Sequence, residues 1–288
     1  MGNMTPPIET KNLRFRYPNT PKGSPHALEG VDLRVEPGEL LAIIGHTGSG
    51  KSTLVQHLNA LLRPSEGTVF VEGKDIWASK KTIREARFRV GLCFQYPEYQ
   101  LFEETVAKDI AYGPKNMGLP QEEIDARVRR AADLVGLKAA QLTKSPFDLS
   151  GGEKRRAAVA GVIAMEPHVL VLDEPTAGLD PRGRAQMIGM IRHYRAQTGN
   201  TVLLISHSME DVAALADRVL VMEGGKAAML DTPAKVFARG GELAAMGLSV
   251  PAVTRIFHAL RAKGLDIDKN IYTIEEGVAE LLRYAGRG

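Results

Sequence analysis

Apolar and polar positions alternate near the start of the chain. In LRFRY, Leu13, Phe15 and Tyr17 face one way and Arg14 and Arg16 the other; Val31, Leu33 and Val35 repeat the pattern in VDLRVE. A period of two predicts half-buried strands. Pro21, Gly23 and Pro25 mark a loop between them. The run LLAIIG is apolar without alternation, which predicts a strand covered on both faces. A helix is expected from Lys51, turning Leu54, Leu58 and Leu61 inward, and GTVFVEG and RVGLCF read as further strands.

From about Glu103 the period changes. TVAKDIAYGPKNMGL and QEEIDARVRRAADLVGL read as helices, with Pro114 and Gly118 to Pro120 as punctuation. The second carries Ile124, Val128, Ala131, Leu134 and Val135 on one side and its charges on the other. Strand patterns return at VLVLD, TVLLIS and RVLVMEGG, separated by helix-like runs, so the class is α/β with a mainly parallel sheet. After about Thr232 the chain is mostly helical. These shifts suggest a main domain over residues 1–231, a helical subdomain inserted at about 96–165, and a helical C-terminal extension over 232–288.

Composition narrows the classes. The chain has 288 residues, 44% hydrophobic and 25% charged, as an ordinary globular protein does. A net charge of +3 is too small to argue for a nucleic-acid partner, and none is expected. No apolar run is long enough to span a bilayer, and the opening residues lack the apolar core of a secretory leader. Met1-Gly2 fits myristoylation poorly, since Pro6 stands where Ser or Thr is expected. Cys93, the single cysteine, reads as a buried core thiol and permits no disulfide.

The chemistry is carried by short motifs. Gly45, His46, Thr47, Gly48, Ser49, Gly50, Lys51, Ser52 and Thr53 spell GHTGSGKST between a buried strand and a helix. This is the phosphate-loop pattern: glycines let backbone amides form an anion nest, and the helix N-terminus adds its dipole. Lys51 would reach the β- and γ-phosphates and Ser52 would ligate Mg²⁺. The strand VLVLD delivers Asp173 and Glu174 to its C-terminal end, where ligands sit in open α/β sheets. Asp173 suits a contact to Mg²⁺, and Glu174 suits a general base for water. LSGGE places Ser150, Gly151, Gly152 and Glu153 as a capping box whose glycines also leave helix-start amides open to an anion.

Together these motifs resemble the ABC-type ATPase family. The resemblance implies a P-loop (RecA-like) core with N-terminal antiparallel strands, ATP and Mg²⁺ as ligands, and ATP hydrolysis. It also implies that Ser150 to Glu153 contact the nucleotide of a second subunit. Gln95 is similar to the family's Q-loop glutamine, near Mg²⁺ and the attacking water. Asp180 matches the D-loop aspartate, and His207 the switch histidine at the γ-phosphate. Tyr17 stands where the family stacks an aromatic on adenine, or else is plain core. Glu153 departs from a common glutamine and keeps the capping role. In that geometry Lys51 and Ser150 meet only across a head-to-tail dimer.

The stretch FQYPEYQLF, followed by EE, bears much apolar surface. In ABC transporters this boundary receives a coupling helix from the membrane subunit. Tyr96, Tyr99, Leu101 and Phe102 would supply apolar anchors, and Glu98, Glu103 and Glu104 charge for a basic partner. Alternatively these side chains pack inside the helical subdomain. The stretch, the loop PNTPKGSPHAL and the helical tail most resemble the ATPases of energy-coupling factor (ECF) transporters, especially the second, A′-type subunit. That implies a partner ATPase (a homologue or a second copy), a transmembrane scaffold, a membrane substrate-binding subunit, and uptake of a vitamin or metal ion from the cytoplasmic face of the membrane. Other readings are the ATPase of another ABC importer subgroup, a soluble ABC ATPase acting on nucleic acid, and a small-molecule P-loop kinase.

Overall fold

The structure, a computed structural model, describes residues 5–18, 21, 26–268 and 270–286; Met1, Gly2, Gly23 and Pro25 lie outside them. In chain order the first elements are β1 (Ile8–Phe15), β2 (Leu28–Val35), β3 (Leu40–Ile44), α1 (Lys51–Leu58), β4 (Glu66–Val71), β5 (Lys74–Asp75), α2 (Lys80–Arg89) and β6 (Val90–Cys93). A helical stretch follows: α3 (Val106–Met117), α4 (Gln121–Leu134), α5 (Ala139–Leu142) and α6 (Gly151–Ile163). The chain then returns to alternation with β7 (Val169–Asp173), α7 (Pro181–Thr198), β8 (Thr201–Ile205), α8 (Met209–Leu215), β9 (Arg218–Glu223) and β10 (Lys226–Asp231). It closes on α9 (Pro233–Phe237), α10 (Gly240–Ala245), α11 (Ala252–Ala262) and α12 (Ile274–Ala285).

Two sheets form. The first, ordered β2-β1-β4-β5, is antiparallel. The second, ordered β10-β9-β3-β8-β7-β6, is parallel except at β10. Every residue of β3, β7 and β8 is buried, as their unbroken apolar runs require. β10 went unread in the sequence because only Met229 of its six residues is buried. It is nevertheless fixed by a two-residue hairpin at Gly224-Gly225, both at positive φ.

Local signals explain the other departures from expectation. α1 stops at Leu58, and Ala60 turns to φ +55, so Leu61 lies past the helix and is 45% exposed. Pro114 does not break its helix: α3 runs through it to a left-handed Gly118. α2 was missed for want of an apolar stripe, though Ser79 and Thr82 cap it reciprocally.

Past Thr232 the chain continues to pack on the second sheet. Val236, Phe237 and Leu243 share a cluster with Ala42, Ile44, Val219 and Val221. α11 and α12 enclose a smaller cluster of Phe257, Ile267 and Ile271. Gly277 lets the two helices close, since a Cβ there would lie 2.9 Å from Val253.

Candidate active site

Parallel register gathers the site. β3, β8, β7 and β6 run side by side in one direction, so whatever follows each strand meets its neighbours at one edge. The loop from Gly45 follows β3, Gln95 follows β6, Asp173 ends β7 with Glu174 next, and His207 follows β8.

The loop has the shape its glycines permit. Gly45 sits at φ +157, and a Cβ there would fall 2.4 Å from the Met222 carbonyl oxygen and 2.4 Å from Ser49 Oγ. Gly50, at φ +102, would drive a Cβ to 2.6 Å from the Ala27 carbonyl oxygen. His46, Thr47 and Gly48 form the exposed tip, and Ser49 is buried with its hydroxyl against Gly45. Lys51 is buried; its Nζ donates to the carbonyls of Gly45 at 2.7 Å and His46 at 3.0 Å. Burial lowers its pKa, against the pull of Glu174 and Asp173.

Ser52 Oγ donates to Asp173 Oδ2 at 3.1 Å, joining the loop to β7. Burial raises the Asp173 carboxyl, opposed by that hydrogen bond. Tyr17 lies two residues beyond β1, 43% exposed. Its ring is edge-on to Phe15, and its hydroxyl is 3.1 Å from Thr53 Oγ1. At that exposure it is not enclosed core.

Glu174 is held at both oxygens. His207 Nε2 is 3.0 Å from Oε1, and Gln95 Nε2 donates to Oε2 at 3.3 Å. Its backbone stands at φ +51, a conformation side chains rarely adopt and one found where sites are built.

Ser150 precedes α6, and both its backbone N–H (2.8 Å) and its hydroxyl (2.7 Å) donate to Glu153 Oε2. Those bonds hold the Glu153 carboxyl below its ordinary range. A Cβ on Gly151 would meet nothing within 4 Å, so the start of α6 is uncrowded there. Asp180 caps α7 by accepting from Gly183 N at 2.7 Å. Ser150 to Glu153, Asp180, Arg156 and Arg182 line one cavity of about 600 Å³. Neither Lys51 nor Ser52 lines it.

The stretch after Gln95 divides. Tyr99 is 85% and Phe102 60% exposed, whereas Leu101 packs half-buried on the core. Phe102 stands edge-on to Tyr112, and with Phe88, Leu101 and Met165 they line a groove of about 360 Å³. Tyr96 is at φ +55, two residues before Glu98. Two expected charges are already paired: Glu104 binds Lys108, and Glu98 binds Arg155 inside the molecule. Glu98 therefore does not stand free for a basic partner as expected. Its reach inward follows from the 3-10 turn Pro97–Gln100, which packs on α6.

Arg155 is the residue that sequence reading overlooked. It is 3% exposed, and its guanidinium grips both Glu98 oxygens at 3.0 and 2.6 Å. It also donates to the carbonyls of Pro175 (3.2 Å) and Ala177 (2.5 Å) and lies over the Tyr96 ring. A signal existed: Arg155, Val159 and Ile163 share a helical face, and the other two are plainly apolar.

The ABC transporter family profile matches residues 28–177. An energy-coupling factor transporter ATP-binding protein, EcfA2, of Clostridium tetani is 50% identical over 277 residues, covering 96% of each chain. A protein of the same name from Symbiobacterium thermophilum is 53% identical over 255 residues, 88% of each chain. The solved structure of cbiO1 from Clostridium perfringens, part of the ABC transporter complex cbiONQ, superposes with a TM-score of 0.75 at 36% identity, covering 89% of this chain and 99% of that one. The chain belongs to the ABC transporter family and, within it, to the ATP-binding proteins of energy-coupling factor transporters.

Proposed function

We propose that the strand-end cluster is the ATP site and that each residue has the role its position suggests. Gly45 to Thr53 cradle the phosphates, and Lys51 turns from the loop carbonyls to the β- and γ-phosphates. Glu174 orients and deprotonates the attacking water as general base, while His207 and Gln95 fix its carboxylate and meet the γ-phosphate end. Tyr17, partly exposed and placed beside Thr53 of the loop, stacks on the adenine. Ser52, Asp173 and Gln95 supply hard oxygen donors of the kind Mg²⁺ takes, and the Ser52–Asp173 hydrogen bond already brings two of them together. Bound there, the ion would neutralise charge on the β- and γ-phosphates.

The second half of each site comes from another subunit. Ser150, Gly151, Gly152 and Glu153 present the open start of α6, with Asp180 beside them, in a cavity that Lys51 does not line. A head-to-tail pair, with a second ECF ATPase subunit or a second copy of this chain, brings the two halves together. The groove at Phe102 receives a transmembrane scaffold, with Tyr96, Tyr99, Leu101 and Phe102 as its apolar anchors, and the scaffold in turn carries a substrate-binding membrane subunit. The chain works from the cytoplasmic face, driving uptake of a vitamin or metal ion. Among the described residues no helix is long and apolar enough to cross a membrane, which suits a peripheral subunit. Residues 1–231 form the nucleotide-binding domain, and 232–288 an extension for association.

The observation that carries this reading is Glu174, held at 3.0 Å by His207 and 3.3 Å by Gln95 from the two neighbouring strands. Purification of the tagged chain from detergent-solubilised membranes, with identification of its companions, tests it. Recovery of a second ATPase and a polytopic scaffold is expected. Recovery with nucleic acid and no membrane protein would contradict it.

A further inference from the structure

Arg155 occupies a place that the phosphate chemistry does not explain. It is a buried cation on the apolar face of α6, level with Val159 and Ile163. Burying a guanidinium is costly unless its donors are satisfied and its charge is paired. Here both conditions are met by segments of different function. Nε and Nη2 bind the two oxygens of Glu98, in the turn that borders the Phe102 groove. Nη1 binds the carbonyls of Pro175 and Ala177, in the turn that directly follows Glu174. That turn is closed by the Ala177 N–H donating to the Glu174 carbonyl at 3.1 Å. The guanidinium plane also lies over Tyr96, the neighbour of Gln95.

We propose that Arg155 is a positioning residue for hydrolysis, tying the aim of Glu174 to the state of the Phe102 groove. The proposal rests on Glu174 being the general base and on the groove being the scaffold's docking site. Its physical content is a shared rigid link. Glu174 sits at φ +51, a strained backbone that persists only if its surroundings hold it. Arg155 holds the two carbonyls just beyond it. A shift of the 97–100 turn on docking pulls the same guanidinium through Glu98, so it reaches the Glu174 turn through hydrogen bonds within the chain. Gln95 gives the direct connection to Glu174, and Arg155 gives a parallel one through the backbone. A lysine could not serve equally, because one ammonium cannot bind a carboxylate bidentately and cap two carbonyls. Burial raises the Glu98 pKa, and the hydrogen bonds and charge of Arg155 outweigh it, so the carboxylate stays ionised at its partner.

The test uses the full ATPase pair, alone and reconstituted with its membrane subunits. Arg155→Met, Arg155→Lys and Glu98→Gln are compared for kcat, KM for ATP and the change in kcat on adding the scaffold. Arg155→Met should lower kcat about tenfold or more, because small misplacements of a catalytic group are costly. Arg155 and Glu98 also border the cavity of Ser150 to Glu153, but the Arg155 guanidinium already binds Glu98 and the carbonyls of Pro175 and Ala177, so the variant's KM for ATP should stay within about twofold. Arg155→Lys should recover part of the loss. Glu98→Gln should blunt the response to the scaffold. A folded Arg155→Met with wild-type kcat, a KM that rises in step with falling kcat, or a Glu98→Gln with an undiminished scaffold response would each overturn the proposal. Should Arg155→Met fail to fold, the Glu98→Gln response decides alone. Failure of the underlying reading looks different: the unmodified pair would then show no hydrolysis, or no response to the scaffold.

Discussion

Glu174 Oε1 and His207 Nε2 lie 3.0 Å apart, although 33 positions separate them in sequence (207 − 174). The contact exists because β7 and β8 are parallel neighbours in register, Asp173 beside Ile205, so the residues that follow each strand emerge together. His207 thus fixes one oxygen of the carboxylate while Gln95 fixes the other. His207→Ala should lower kcat by about 10²-fold, the scale of one lost positioning or acid–base group, in a steady-state phosphate-release assay. Unchanged turnover would show that Glu174 needs no such support.

The groove at Phe102 makes a separate prediction. Phe102 lines it and Tyr99 precedes the lining residue Gln100 in the chain; both are exposed, and aromatic anchors buried at interfaces cost about 2 kcal/mol or more each when truncated. Tyr99→Ala with Phe102→Ala should therefore weaken binding to the membrane scaffold by at least a factor of about 10² in co-sedimentation with scaffold-bearing liposomes. Binding as tight as wild type would place the docking site elsewhere.

α12 carries Ile274, Val278 and Leu282 one helical turn apart, exposed by 68%, 53% and 69%. An apolar stripe of this kind commonly marks a partner face. Leu282→Glu should shift the ATPase pair toward monomers in sedimentation velocity, leaving nucleotide binding in place. A pair that assembles as before would assign the stripe to another purpose.

Cys93 gives a pH-dependent outcome. Burial pushes its thiol up to about 12, whereas an unfolded cysteine ionises near about 8.5. The folded chain therefore keeps a proton that the unfolded chain loses above that pH, so this group subtracts stability as pH rises from about 8.5 toward 12. Cys93→Ala should flatten the alkaline side of a melting-temperature profile. Iodoacetamide at pH 8 should label the chain only after denaturation. Rapid labelling of the native chain would contradict the buried thiol.

How much of this was legible in the sequence depended on how local each feature is. The loop Gly45–Thr53 declares itself, because its glycines, lysine and hydroxyls are contiguous and each has a local conformational or chemical reason. Asp173 and Glu174 were readable from the apolar run before them. The convergence of Gln95, Glu174 and His207 was expected only through family resemblance; spacing alone does not reveal it, since it depends on the strand order β8-β7-β6. Glu98 and Arg155 show the limit more sharply. Glu98 looks like a surface charge in its own segment, and the apolar face that holds Arg155 does not name its partner; they meet only when the turn at Pro97 packs on α6. Tyr112 was hidden likewise: it sits inside an ordinary helix pattern and becomes part of the groove by facing Phe102.

In the proposed division of labour, Glu174 performs the chemistry while the loop around Lys51 performs the binding. Glu174→Gln keeps the side chain's size and removes only its basicity, and loss of a general base costs about 10²–10⁴ in rate. The decisive measurement is ATP hydrolysis and ATP binding on the same preparation of the assembled Glu174→Gln complex. Hydrolysis at background with binding equal to wild type is the predicted result. Near-normal turnover, or loss of binding together with turnover, would contradict the assignment.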